Sequence, residues 1–137
     1  MQAGRIFGTL ILAGLALLAS ARTVLAHHAF AAEYNANRPI MLTGNVTKVD
    51  WRNPHAHCYV DVKDASGKVT TWDLELASPN VLQREGWTRK TIKAGDMVTV
   101  NGYLAKDGTN LAHARDFRLA DGRKVFAGAA PDGPPQP

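Results

Sequence analysis

Ser78-Pro79-Asn80-Val81-Leu82-Gln83-Arg84-Glu85-Gly86 is the stretch on which the reading of the fold turns. Serine at an N-cap accepts from amides of the first turn, and proline at the first helical position gives up no donor the helix needs. Glycine just past the last turn ends a helix in the left-handed conformation. These nine residues predict one short helix from Pro79 to a stop at Gly86. On both sides the apolar period falls to two, so a single helix stands between two β blocks.

Upstream, Ile40 to Trp51 reads as a first strand, with Gly44 expected to mark a bulge where it curves. Arg52-Asn53-Pro54 is a turn, because proline removes a donor and biases Asn53 away from helix. His57 to Lys63 forms the second strand, with Cys58, Val60 and Val62 on one face and His57, Tyr59, Asp61 and Lys63 on the other. Asp64-Ala65-Ser66-Gly67 turns it into a third strand, Val69 to Leu76, in which Trp72, Leu74 and Leu76 share a face. Downstream, Lys93-Ala94-Gly95-Asp96 leads into a fourth strand, Met97 to Ala105, and Lys106-Asp107-Gly108 into a fifth, Asn110 to Leu119. Asp121-Gly122 sets off a short segment, Lys124-Val125-Phe126. The expected fold is all-β: a small five-stranded OB-like Greek-key barrel over residues 40–126, with one short helix between strands three and four.

The first 26 residues read as a signal peptide. Arg5 supplies a positive start, and the uncharged apolar run Ile6–Ala21 is shorter than the roughly 20 residues that cross a bilayer. Ala19-Ser20-Ala21 and Val24-Leu25-Ala26 are competing cleavage sites; the second, after Ala26, falls where the composition turns polar. Residues 27–39 are then a polar lead-in whose large apolar anchors are Phe30 and Tyr34. Residues 127–137, dense in glycine, alanine and proline, are expected to be a disordered tail. Losing the leader removes two of the sixteen basic residues against twelve acidic ones, so the net charge falls from +4 to +2. With no basic run in the mature part, a nucleic-acid partner is not supported. No transmembrane anchor is expected after cleavage, and the location is periplasmic or secreted. Cys58 is the one cysteine and has no intramolecular bridge to make; on the apolar face it acts as a small hydrophobe.

Specific chemistry is suggested by the histidines. Cleavage after Ala26 would start the chain at His27-His28, where the free amine, an amide nitrogen and imidazoles form a chelating end suited to Cu(II) or Ni(II). His55 and His57 are candidates to complete the ligand set, with His113 less favoured. Each also has a structural alternative: His55 capping the turn, His57 on a solvated face, His113 partly buried between Ala112 and Ala114. The aromatics Trp51, Tyr59, Trp87 and Tyr103 are candidates for contact with a ligand or partner. Trp51 and Trp87, next to element ends, equally suit packing over the ends of the barrel.

No phosphate loop, nucleophile elbow or paired catalytic carboxylates are present, so an enzyme is not expected. The preferred reading is an exported, non-catalytic binding domain for a protein or envelope component; the alternative is a copper or divalent-metal binder using His27, His28, His55 and His57.

Four stretches together resemble a family of bacterial secreted domains of unknown function. They are His27-His28-Ala29-Phe30-Ala31-Ala32-Glu33-Tyr34, Leu42-Thr43-Gly44-Asn45-Val46-Thr47-Lys48-Val49, the turn Trp51-Arg52-Asn53-Pro54-His55-Ala56 and Gly86-Trp87. The resemblance covers nearly the whole mature chain. It implies a single exported domain and brings no activity with it. At His57-Cys58 the family pattern leads one to expect bulky apolar residues, so a metal role there would be peculiar to this chain.

Overall fold

The computed structural model describes residues 30–129. The chain divides into two compact units, Met1–Ala32 and Glu33–Pro137. Of the first, residues 30–32 are described and are helical. The expected signal peptide, the cleavage point Ala26 and the pair His27 and His28 lie outside the described residues.

The second unit is all-β and barrel-like. Its strands are β1 (Tyr34–Asp50), β2 (His57–Lys63), β3 (Val69–Glu75), β4 (Met97–Ala105), β5 (Leu111–Leu119) and β6 (Lys124–Phe126), with the helix Pro79–Arg84 between β3 and β4. Strands lie in the order β3-β2-β1-β4-β5-β6, and a further pairing of β3 with β5 returns the sheet on itself. That pairing is parallel, Asp73 to Leu111 and Glu75 to His113, whereas every other pairing is antiparallel. The circuit β1-β2-β3-β5-β4 gives the small all-β, barrel-like fold expected from the sequence. Closure removes the exposed edges a small sheet would otherwise present.

β1 is long because it serves two neighbours. Residues from Tyr34 to Asn45 pair with β4, and Asn45 to Asp50 pair with β2. It therefore starts at Tyr34 rather than Ile40, taking half of the expected lead-in into the sheet. Gly44 sits at the handover, where an added Cβ would run into the Asp61 carbonyl. The bulge falls later, between Val46 and Lys48. Gly44 is thus there for close approach of two backbones, not for the bulge itself.

Alternation sends one face of each strand inward. Val46, Cys58, Val60, Leu74, Val98, Val100 and Phe117 are buried together, joined by Leu76, Leu82 and Ile92. Burial pushes the Cys58 thiol up to about 12, so it stays protonated in the core. The helix forms as read: Ser78 accepts from the Val81 amide at 3.4 Å, proline opens the helix, and Gly86 follows with φ +88°. Six residues cannot hold a helix alone. The buried side chain of Leu82 anchors it, contributing about 1.5–3 kcal/mol.

Trp87 follows the helix and is 3% exposed. Its indole N–H donates to the Phe126 carbonyl at 2.6 Å, and its ring meets Phe117 and Trp51 edge-on at 5.9 and 6.3 Å. The fold also runs past residue 126. Ala127 is fully buried, its carbonyl accepts from the Ala77 amide at 2.7 Å, and its own amide donates to Arg115. The expected disorder from residue 127 is therefore overturned for 127–129, because these backbone groups find partners in the barrel. Residues 130–137 lie outside the described part. Asp116, 5% exposed, is satisfied by Asn101 Nδ2 at 2.8 Å, Arg115 Nε at 3.0 Å and Lys124 Nζ at 3.4 Å.

Candidate functional site: a polar face across four strands

The inward alternation of Cys58, Val60, Leu74, Ala112 and Ala114 turns their neighbours outward. Register then aligns them: His57 pairs with Glu75, Glu75 with His113, and His113 with Tyr103. One row across β2, β3, β5 and β4 carries two imidazoles, a carboxylate and a phenol. The next row brings Tyr59 opposite Asp73.

Glu75 is the hub. One carboxylate oxygen, Oε2, accepts from the Tyr34 hydroxyl at 2.9 Å. The other, Oε1, lies 3.0 Å from His55 Nδ1 and 4.0 Å from His113 Nδ1. The Tyr34 and His113 rings stand 5.4 Å apart, tilted. His113 Nε2 lies 3.0 Å from the carbonyl of Ala129. A carbonyl only accepts, so Nε2 carries the hydrogen and, in the neutral ring, Nδ1 carries the lone pair. Burial holds His113 below the ordinary imidazole value, which favours that neutral ring. Burial and the Glu75 charge push the Tyr34 hydroxyl far up, so it remains a donor. Glu33 is also raised, first by burial and then by Glu75 and Asp107.

Beside the hub, His57 Nδ1 lies 2.6 Å from Asp73 Oδ1 and its ring stacks with Tyr59 at 6.4 Å. Lys48 Nζ stands over the Tyr59 ring at 5.6 Å. Gly128 closes one side: an added Cβ would come within 2.6 Å of the Ala114 carbonyl and 2.8 Å of His113 Nε2. The chain past β6 thus lies against the imidazole with no room to spare.

The residues singled out in the sequence are distributed unevenly. His55 and His57 both reach this face, yet each turns to its own carboxylate, Glu75 and Asp73, instead of converging. The second histidine near the carboxylate that His55 meets is His113. His55 Nδ1 sits against Glu75 Oε1 where a turn cap was the alternative, and the His57 side chain is 13% exposed where a solvated position was. Tyr59 lies on the face, and Tyr103 closes the row on β4. Trp51 is half-buried with the Arg89 guanidinium over its ring at 5.6 Å. Trp87 is withdrawn into the core and presents no surface to a partner. Tyr34, expected as an apolar anchor of the lead-in, is instead part of the site, and Asp73 and Glu75 join it because they alternate with Trp72 and Leu74 and so face outward.

Among the described residues, no group of three or more His, Cys, Asp or Glu side chains is placed so that it could hold a metal ion. No helix among them is long and apolar enough to cross a membrane. No curated protein matches the chain. A family model does match, over residues 15–114 of the 137. The barrel, its long two-sided first strand and the row from His57 to His113 therefore belong to a member of the family of unknown function DUF6152.

Proposed function

We propose that this chain is an exported, non-catalytic binding domain, periplasmic or secreted, that takes a protein or envelope component on the outer face of β2, β3 and β5. The observation that carries the reading is the row His57, Glu75, His113 and Tyr103, with Tyr59 and Asp73 beside it. A folding core needs none of these groups. Ordering several polar side chains outward costs conformational entropy, which a ligand engaging them offsets. OB-like barrels offer one strand face and its flanking loops for such contacts.

Site-directed photo-crosslinking in the native host tests this. A photoreactive residue at Tyr59 should give one discrete adduct, and one at Thr99, which is set in β4 opposite Thr43 of β1, should give none. Adducts at neither position would sink the binding reading. N-terminal sequencing of the exported protein should find His27 first; retention of the leader would overturn export.

The second reading is a copper or divalent-metal binder using His27 and His28 with His55 or His57. His55 supports it, since its side chain is 46% exposed. His57, bonded to Asp73, supports it less. Copper uptake by the mature chain that weakens when one residue is added before His27 is the expected result; unchanged uptake excludes a terminal chelate.

A further inference from the structure

We infer that the edge of β1 from Pro39 to Thr43 is a self-association site, which takes the same edge of a second copy of this chain as an antiparallel strand with the two-fold axis at Met41. The edge lies outside the row from His57 to Tyr103, and the inference does not rest on that row.

The closure that joins β3 to β5 does not reach this stretch. β1 pairs with β4 as far as Asn45 and with β2 only from Asn45 onward, so among the described residues no strand pairs with the other side of residues 39–43. Backbone direction identifies the free groups. The Val46 amide donates to the Asp96 carbonyl and the Val46 carbonyl accepts from the Gly95 amide, so Val46 turns its backbone toward β4. Alternation turns Gly44, Leu42 and Ile40 the same way, and Asn45, Thr43 and Met41 to the opposite side. There Asn45 meets Asp61 of β2, and Met41 and Thr43 meet no described strand. Pro39 shares their parity, so the donor it lacks is one that β4 does not call for.

Register and side chains select a second copy over a foreign strand. An axis at Met41 lays residues 39–43 against the same residues of the other chain, using the whole open stretch and stopping short of Asn45. The two Met41 residues then exchange both backbone bonds, and each Thr43 amide donates to the facing Pro39 carbonyl. An axis at Leu42 would set Pro39 against Asn45, a place Asp61 already holds. Met41, at 72% the most exposed large apolar residue among those described, meets its own copy on the outer face. Half-buried Ile40 and Leu42, which pack against the core, face each other across the axis on the inner one. No residue from Pro39 to Thr43 is charged, nor are Thr99 and Asn101 beside them on β4. Self-pairing therefore opposes no like charges, and the edge lacks the charges that keep other edges apart. Thr99 stays two strand spacings, about 10 Å, from the incoming strand.

Sedimentation velocity of the mature chain over a concentration series tests the pairing. Strands this short bury little surface, so the mass should rise from one chain to two with concentration and fall on dilution. Met41→Lys, at an exposed position, should stay folded by circular dichroism and weaken association about 10-fold or more, because it opposes two ammonium groups. In Met41→Cys the facing Cα atoms stand about 5.5 Å apart, within the span of a disulfide, so mild oxidation should link two chains. Met97→Cys, also exposed, should link far more slowly, and buried Cys58 does not compete. The proposal is overturned if the parent sediments as one chain at every concentration, if folded Met41→Lys associates like the parent, or if Met97→Cys links as fast as Met41→Cys. Capture of a different envelope protein by Met41→Cys, with no dimer of the parent, assigns the edge to a foreign strand and overturns it too.

Discussion

Gly128 lies so close to the His113 ring and the Ala114 carbonyl that a single methyl group is too much. Gly128→Ala should destabilise the domain by about 1–3 kcal/mol, the usual cost of overpacking, measured by denaturant unfolding. Cys58 is buried with its thiol raised to about 12, so a maleimide should label it slowly in the native state and rapidly once the protein unfolds. Acid sensitivity follows from two depressed groups. His113 is held neutral by burial, so the unfolded chain binds the proton first. Stability is full above the ordinary value of 6.5 and falls as pH drops toward the folded value. Burial pushes Asp116 upward, but Asn101, Arg115 and Lys124 outweigh it and hold the carboxyl low, which adds a second loss below about pH 4. Thermal melts from pH 8 to 3 should show both declines; a flat profile between 7 and 5 would contradict the neutral, buried His113. At this scale the inward set was readable, because Cys58, Val60 and Leu74 follow a local alternation. The role of Tyr34 was not, because it depends on Glu75, far along the chain, and a tyrosine in a polar lead-in shows only an apolar anchor.

The helix Pro79–Arg84 and strands β2 and β4 keep the bounds their caps and turns announced, since serine, proline and glycine act on their own neighbours. Ser78→Ala should cost only about 0.5 kcal/mol, because the 3.4 Å cap bond is long. Trp87→Ala, which empties the space above that helix and frees the Phe126 carbonyl, should cost about 3–5 kcal/mol. Chemical unfolding of the two variants side by side checks the order. The first strand begins earlier than its alternation indicates, because Tyr34 to Arg38 lacks that pattern; its pairing with β4 comes from the partner strand's backbone. Lys124-Val125-Phe126 was seen as a segment but not as a strand. Three residues carry too little period, and β5 supplies the pairing.

For the molecule as a whole, the strands and the helix between them could be read in order, and with them the barrel. The site could not, because it depends on which strands lie side by side. The end of the fold also moves: a chain stopped after Ala129 keeps every contact described, whereas one stopped after Arg123 loses β6, the Phe126 acceptor and the Ala127 bond to Ala77. The first should melt with the cooperativity of the full chain, and the second should not fold, as scanning calorimetry will report. The parallel pairing of β3 with β5 carries a temporal consequence. During synthesis the sheet stays open until Leu111 to His113 emerge, and long-range pairings of this kind form slowly. Glu75 and His113 become neighbours in that same closing event, so the chain acquires its polar face last, and a barrel that has not shut has no site to offer.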